Sequence, residues 1–345
     1  MAYNRRDFLT KIGIAGTSVI GLKPFLKANH KTIIKPPPLS RGATIGMVSP
    51  ASSLSSLKKY EKVAHHVEEL GFKVKVGPHA KDHFGYFAGT DKERANDLNA
   101  MFADPEVDGI IPFRGGWGSN RILEYLDYAM IRDNPKPLIG FSDITSLLLA
   151  IYENSGLVTY HGPVGKSSWT DFTVSYFKKA VMQTQPFVMK SGHRDSETEM
   201  DPIYTIHPGK TRGKLLGGNL SVLTSMIGSS YLPQWEGSIL FIEDVGEDVY
   251  RIDRMITQMK LNGILEEING FIFGQCTHCP EGSGYHFTLE QILKNHLKGL
   301  SIPAFAGANI GHIANMFTLP IGIQAEINAD IGTITLLESP TDTNV

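Results

Sequence analysis

The chain has 345 residues, 41% of them hydrophobic, which is enough to bury a sizeable core in one large or two medium domains. Its formal net charge is -2, with 33 basic and 35 acidic side chains, and no long basic run points to nucleic acid as a partner. No apolar stretch after the N-terminal segment is long enough to cross a bilayer.

The first 29 residues resemble a targeting segment. Arg5 and Arg6 precede Phe8-Leu9 and the mildly apolar stretch 12–22, which is the layout of a twin-arginine export signal. An ordinary amphipathic helix is the alternative. We therefore expect an exported, periplasmic protein, or a membrane-anchored one if the signal is retained. Residues 30–41, rich in proline, indicate a stiff linker.

An α/β pattern follows over residues 42–165, the predicted N-terminal domain. Strand patterns at 43–50, 72–76, 107–113 and 137–141 alternate with helix patterns at 54–71, 91–105 and 144–152. This alternation predicts a parallel sheet with helices on both faces. Ligands bind such sheets at the carboxyl ends of the strands, where the sequences RGGWGSN and GFSD lie.

The pattern changes after residue 165. Residues 166–202 are polar, with a charged stretch at 191–202, and we interpret them as an interdomain connection. Residues 203–345 contain short strand patterns separated by glycines, which predicts a second, smaller and β-rich domain. One helix is predicted within it, Glu247–Leu261, with Val249, Ile252, Ile256 and Met259 on one face.

Ser142 stands where a strand pattern ends and a helix pattern begins. Its hydroxyl, or the Asp143 carboxylate, could cap that helix. Alternatively, Ser142 is a nucleophile on a tight turn, next to backbone N–H groups that stabilise an oxyanion. The second glycine of the usual G-x-S-x-G turn is absent, because Ile144 occupies that position.

The glycine-rich sequence RGGWGSN begins at Arg114. Its glycines do not fit the dinucleotide-binding pattern, but they expose backbone N–H groups that suit an anion or an oxyanion. A simple tight turn with Ser119 as helix N-cap is the other interpretation, and both can hold at once.

Acidic and histidine residues in later loops are candidates for acid-base chemistry. Glu243 follows four apolar residues, so its carboxylate needs a partner, whereas Glu247 and Asp248 are better explained as helix caps. His312 lies in a glycine-containing loop, and His161 is its rival. Spacing alone does not assemble a triad from these residues.

Two cysteines occur, Cys276 and Cys279. We favour simple packing for this pair, with a disulfide as the second interpretation and half of a metal site as the third.

Several sequence blocks together resemble the muropeptide LD-carboxypeptidase family of serine peptidases. In the family's order, over roughly residues 42–337, they are RGGWGSNRIL, GFSDITSLLLAIY, HGP, GKLLGGNLSVL, FIEDVGEDVYRIDR and GHIANMFTLPIG. The resemblance implies a flavodoxin-like N-terminal domain, a small β-rich C-terminal domain and a site between them.

The resemblance also implies roles for single residues. Ser142 is the implied nucleophile, His312 the base and acid, and Glu243 the residue that orients the histidine. The implied oxyanion hole consists of the backbone N–H groups of Gly116 and Asp143. Substrate contacts are expected from Arg114, Trp117 and Asn219, with Trp117 standing where relatives often have tyrosine.

The implied activity is hydrolysis of the amide that joins an L-centre to a terminal D-amino acid in murein tetrapeptide stems. Two alternatives stay open: an immunity peptidase for a peptidyl-nucleotide antibiotic of the microcin C type, and a non-catalytic exported protein that binds wall peptides. No cofactor and no metal are expected. A homodimer, and a membrane tether through an uncleaved signal, also stay open.

Overall fold

The computed structural model describes residues 32–192 and 202–343. The predicted export signal and most of the charged stretch at 191–202 therefore lie outside the described residues. The described residues from Ile33 onward belong to one compact unit. In the described part of the chain, no helix combines the length and apolarity needed to span a membrane.

The first half of the chain builds a parallel sheet. Its strands are β1 (Thr44–Met47), β2 (Lys73–Val76), β3 (Gly109–Ile110), β4 (Ile139–Gly140) and β5 (Tyr160–His161). Strand β1 pairs in parallel with β2 and β3, and β4 pairs in parallel with β5. A parallel bridge from Ile110 to Leu138 joins the two groups, which gives the order 2-1-3-4-5 of a flavodoxin-like sheet.

Helices connect these strands, as the alternating pattern predicts. They are α1 (Leu57–Glu69), α2 (Asp91–Ala103), α3 (Tyr128–Asp133) and α4 (Thr145–Ser155), with 3-10 turns at Ser119–Tyr125 and Ser142–Ile144. Helix α2 begins with a capping box, in which Thr90 and Glu93 bond each other's backbone N–H groups. Helix α4 is buried along almost its whole length, because it lies in the interior of the molecule.

Residues 166–192, predicted as a connection, contain helix α5 (Asp171–Val181) and strand β6 (Val188–Lys190). The Thr170 side chain caps α5 by accepting a hydrogen bond from the Thr173 N–H, and Phe177 and Val181 pack into the core. The stretch is therefore part of the folded unit rather than a plain linker.

The second half builds an eight-stranded mixed sheet in the order β6-β14-β13-β8-β9-β10-β11-β7. Its later strands are β7 (Tyr204–His207), β8 (Lys210–Asn219), β9 (Ile239–Val245), β10 (Gly270–Thr277), β11 (Ala304–Ala306), β13 (Gln324–Asn328) and β14 (Thr333–Leu336). Strands β8, β9, β10 and β11 run in parallel. The short strand β12 (Leu319–Pro320) instead pairs antiparallel with β5 of the first sheet.

The helices of this half are α6 (Leu220–Ser225), α7 (Val249–Leu261), α8 (Ile264–Glu267) and α9 (Leu289–Leu297). Helix α7 buries the four apolar residues predicted for its inner face. The predicted fold class, a flavodoxin-like parallel sheet followed by a β-rich region, is confirmed.

The favoured interpretation of the cysteines is wrong. Cys276 and Cys279 form a disulfide, with their Cα atoms 5.5 Å apart. Cys276 lies at the end of β10, and the next turn contains His278 at a positive φ of 55°. This left-handed turn reverses the chain and brings Cys279 back beside its partner.

Candidate active site

Ser142 occupies a strained turn at the carboxyl edge of the first sheet, directly after β4 and Phe141. Its φ of 61° lies in the left-handed region, which is uncommon for a residue other than glycine. Phe141 and Ile144 hold the N-cap positions of the 3-10 turn and of α4, so the Ser142 side chain caps neither. A serine on a sharp strand-to-helix turn is the arrangement that exposes a nucleophile.

The Gly115–Gly116 turn packs directly against Ser142. A Cβ atom placed on Gly115 would lie 3.0 Å from the Ser142 Cβ and 3.3 Å from the Asp143 nitrogen. A side chain at position 115 would crowd this contact, and glycine leaves it open. Gly116 and Asp143, whose backbone N–H groups are predicted to form the oxyanion hole, therefore lie in two turns that contact each other. The N–H groups in the first turn of a helix have no intrahelical partners, so the Asp143 N–H can bind an oxyanion.

The Asp143 side chain points away from the cleft, and its contacts hold the turn that carries Ser142 in place. Its carboxylate is buried and accepts a hydrogen bond of 2.7 Å from the Ser119 N–H, and the Ser119 hydroxyl donates to the Asp143 carbonyl. Burial raises the pKa of Asp143, although the bonds from Ser119 oppose it. The N-cap prediction for Ser119 is wrong, because Gly118 holds that position and Ser119 ties the two turns together.

Glu243 and His312 form a hydrogen-bonded pair across the second sheet. The distance from His312 Nδ1 to Glu243 Oε2 is 2.9 Å, and the carboxylate is fully buried near the end of β9. A Cβ atom on Gly311 would lie 2.9 Å from the same oxygen, so glycine at 311 lets the His312 loop approach. Because Nδ1 faces the carboxylate, Nε2 is the nitrogen available to take a proton.

The pair shifts the pKa of both partners. Burial lowers the pKa of His312, but the charge of Glu243 and its hydrogen bond outweigh burial and raise the pKa above the ordinary value. Burial would raise the pKa of Glu243, but the charge and the hydrogen bond of His312 hold it below the ordinary value. An ionised carboxylate beside the imidazole stabilises the imidazolium that forms during acyl transfer.

His161, the rival histidine, lies beneath this pair. Its side chain is fully buried and contacts the rings of Phe141 and Phe241, with ring centroids 6.2 and 5.4 Å away. Neither ring nitrogen has a hydrogen-bond partner within the described residues. Burial lowers the pKa of His161 to about 4, so this imidazole is neutral near pH 7. It does not line the cleft, and His312 does.

A cleft of about 420 Å³ brings the predicted groups together. Ser142 and His312 line it together with Arg114 and Gly116. Phe141 also lines it, with its ring 4.7 Å from that of His312. Lys166, from the loop after β5, was not predicted. Its only sequence signal is its position shortly after the HGP motif.

Two predicted substrate contacts lie elsewhere. Asn219 is buried, donates to Asp244 Oδ1 over 3.1 Å and caps α6 by accepting from the Val222 N–H. It is not among the residues that line the cleft, because its amide serves this internal network. Trp117 is half exposed, does not line the cleft although it follows Gly116, and stacks on Phe87, with ring centroids 5.2 Å apart.

Asp244, the neighbour of Glu243 at the end of the same strand, is a further buried acid, and no role is predicted for it. Burial raises its pKa to about 6, although hydrogen bonds from Ser221 and Asn219 oppose the shift. Its bonds to Ser221 and Asn219 join the end of β9 to the start of α6, so it fixes the strand that carries Glu243. In the described part of the chain, no three His, Cys, Asp or Glu residues group so that they could hold a metal ion.

Comparison with known proteins gives consistent results along the chain. Residues 45–162 match the family profile described as the LD-carboxypeptidase N-terminal domain, and residues 212–327 match that of the LD-carboxypeptidase C-terminal domain. A probable murein peptide carboxypeptidase from Bacillus subtilis is 38% identical over 85% of this chain and 91% of its own length.

Microcin C7 immunity proteins are also similar. The self-immunity protein MccF of Escherichia coli is 30% identical over 87% of this chain and 95% of its own length. A solved structure of MccF in complex with glutamyl sulfamoyl guanosine superposes with a TM-score of 0.81, at 28% identity, over 90% of this chain and 100% of that chain.

Proposed function

The chain belongs to the LD-carboxypeptidase family and is a serine-type carboxypeptidase, and from this premise we propose that it releases the terminal D-amino acid from murein tetrapeptides. The observation that carries the proposal is the pairing of Glu243 with His312 at the edge of a cleft that Ser142 also lines. The similarity to a probable murein peptide carboxypeptidase favours a wall peptide as the substrate.

We assign the roles as follows. His312 Nε2 takes the hydroxyl proton of Ser142 as Oγ attacks the carbonyl carbon of the scissile amide. The resulting oxyanion accepts hydrogen bonds from the Gly116 and Asp143 N–H groups. The C–N bond then breaks, and His312 gives its proton to the leaving amine, which departs as the free D-amino acid. Water activated by His312 hydrolyses the acyl-enzyme and releases the tripeptide.

The test is direct. The purified protein is incubated with a tetrapeptide stem, and free D-alanine is measured by mass spectrometry. We expect release by the native protein and a loss of several orders of magnitude in Ser142→Ala, because triad knockouts cost about a million-fold. Undiminished turnover by Ser142→Ala would refute the assignment, and absence of D-alanine with the native protein would refute the substrate.

A peptidyl-nucleotide is the second candidate substrate, favoured by the similarity to MccF in sequence and structure. An aminoacyl sulfamoyl adenosine, offered to the same protein in the same assay, distinguishes the two. Cleavage of that compound with no release of D-alanine from the tetrapeptide would assign the chain to antibiotic immunity.

We also propose that residues 1–29 direct export by the twin-arginine route to the periplasm, and that an uncleaved segment would tether the protein to the membrane. The paired Arg5 and Arg6 before an apolar stretch support this. Replacing both arginines with lysine should retain the protein in the cytoplasm, as measured by cell fractionation. Undiminished export of that variant would refute the proposal.

A further inference from the structure

A second cavity of about 460 Å³ opens beside the catalytic cleft. It shares Arg114 and Lys166 with the cleft, so the two cavities meet at these two cations. Its other walls come from Ser52–Ser55 after β1, from Lys59 on α1, and from His83 and Tyr86 in the loop after β2.

The position of this cavity follows from the topology of the first sheet. Strand order reverses at β1, which lies between β2 and β3. Loops that leave a parallel sheet on opposite sides of such a reversal diverge and leave a crevice at the carboxyl edge. Ser52–Ser55 follow β1 and Arg114 follows β3, so the second cavity is the crevice at this switch point.

The lining is strongly one-sided in charge. Lys59, Arg114 and Lys166 contribute three positive charges, His83 adds an imidazole, and no carboxylate lines either cavity among the residues described. Within that same part of the chain, none of the four forms a salt bridge.

Neighbouring groups hold three of these basic side chains in place. Lys59 Nζ donates to Ser55 Oγ over 2.7 Å, His83 Nδ1 lies 3.1 Å from Ser53 Oγ, and Arg114 Nη1 donates to the Ser53 carbonyl over 3.3 Å. These contacts leave charge uncompensated, which is the arrangement that binds an anion.

We infer that this cavity is a subsite for a carboxylate of the peptide substrate, separate from the scissile bond. The inference rests on the proposed function. A wall tetrapeptide carries a carboxylate on the terminal D-residue and others along the peptide, and Arg114 and Lys166 place the subsite next to the scissile amide. The bound carboxylate anchors the peptide, so the subsite acts on binding rather than on the chemical step.

The experiment compares the double variant Lys59→Gln/His83→Gln with the control Lys58→Gln, which removes a neighbouring exposed charge that does not line the cavity. Three substrates are used: the free-acid tetrapeptide, its C-terminal amide, and the tetrapeptide amidated at its internal glutamyl carboxylate. We expect the double variant to raise KM for the free acid about 5–10-fold at low salt, with kcat within about twofold. At about 0.5 M salt the difference should shrink.

The amidated substrates identify the carboxylate. For the substrate that lacks the bound carboxylate, the double variant and the control should have equal KM. Equal KM for the double variant and the control on all three substrates would refute the subsite while leaving the proposed function intact, since D-alanine would still be released. Absence of D-alanine release from the free acid by the native protein would refute the proposed function, and the subsite with it.

Discussion

Replacing Glu243 with glutamine keeps the shape of the side chain but removes its charge. His312 Nδ1 then faces an amide, which can donate to it and hold the wrong tautomer of the ring. The carboxylate is fully buried and 2.9 Å from Nδ1, so water does not replace it easily. We therefore expect kcat to fall by about three to four orders of magnitude, and adding Glu243→Gln to Ser142→Ala should cost little beyond the loss caused by Ser142→Ala alone.

The same change should move the pH profile in a predictable direction. His312 acts as a base only when neutral, so kcat/KM rises with pH through its pKa. In the native protein Glu243 raises this pKa above the ordinary 6.5, whereas burial lowers it. Without the Glu243 carboxylate, the lowering effect of burial on the pKa of His312 is opposed only by the weaker effect of the Asp244 charge. The acidic limb of kcat/KM should therefore move from above pH 6.5 to below it in Glu243→Gln.

The matched control is Glu247→Gln, four residues along the chain. Glu247 is partly exposed, just before the start of α7, and its carboxylate lies 3.8 Å from Arg251, a surface ion pair worth less than about 1 kcal/mol. This variant should keep its kcat and its pH profile. The assignment of Glu243 is wrong if Glu247→Gln is the variant that loses kcat, or if the acidic limb of kcat/KM stays above pH 6.5 in Glu243→Gln.

Two further predictions concern buried groups around the site. Arg94 is buried, donates to the carbonyls of Pro50 and Gly118 and forms an ion pair with Asp91, so Arg94→Met should destabilise the protein by about 2–4 kcal/mol in urea unfolding. Arg121 pairs with the same Asp91 from an exposed position, so Arg121→Met should cost less than about 1 kcal/mol. Equal losses in the two variants would contradict this prediction. Burial lowers the pKa of His161 to about 4. Between pH 7 and pH 4 the unfolded chain therefore binds a proton at His161 that the folded chain does not bind, and the free energy of unfolding falls over this range. His161→Phe should reduce that fall by about 3 kcal/mol, and an unchanged difference between the two pH values would refute it.

Much of the fold could be predicted because its elements carry local signals. Short segments of sequence are enough to predict the apolar face of α7 and the alternating strands and helices of the first half. Helix α5 was missed although Thr170-Asp171 is a fair helix start, because the polar residues around it obscured the short apolar face. The order of the eight-stranded sheet depends on long-range pairing, which no short window contains.

The site was predictable in its residue types but not in its geometry. Glu243 and His312 are 69 residues apart, and only the packing of β9 against the loop after β11 brings them together. The role of Ser119 was missed for the same reason, since its partner Asp143 lies 24 residues away. The sequence also could not show that Asn219 is internal, because a polar residue at the end of a strand can either line a cleft or join a buried hydrogen-bond network.

The left-handed backbone of Ser142 leads to a last prediction, since tertiary contacts rather than local sequence impose it. A non-glycine residue at φ 61° is strained by about 1–2 kcal/mol, and glycine is not. Elsewhere alanine is usually more stable than glycine by about 0.5–1 kcal/mol. At this position we expect the opposite order, with Ser142→Gly more stable than Ser142→Ala by about 0.5–1 kcal/mol in urea unfolding, and neither variant active. If Ser142→Ala is instead the more stable of the two, the turn stores no strain.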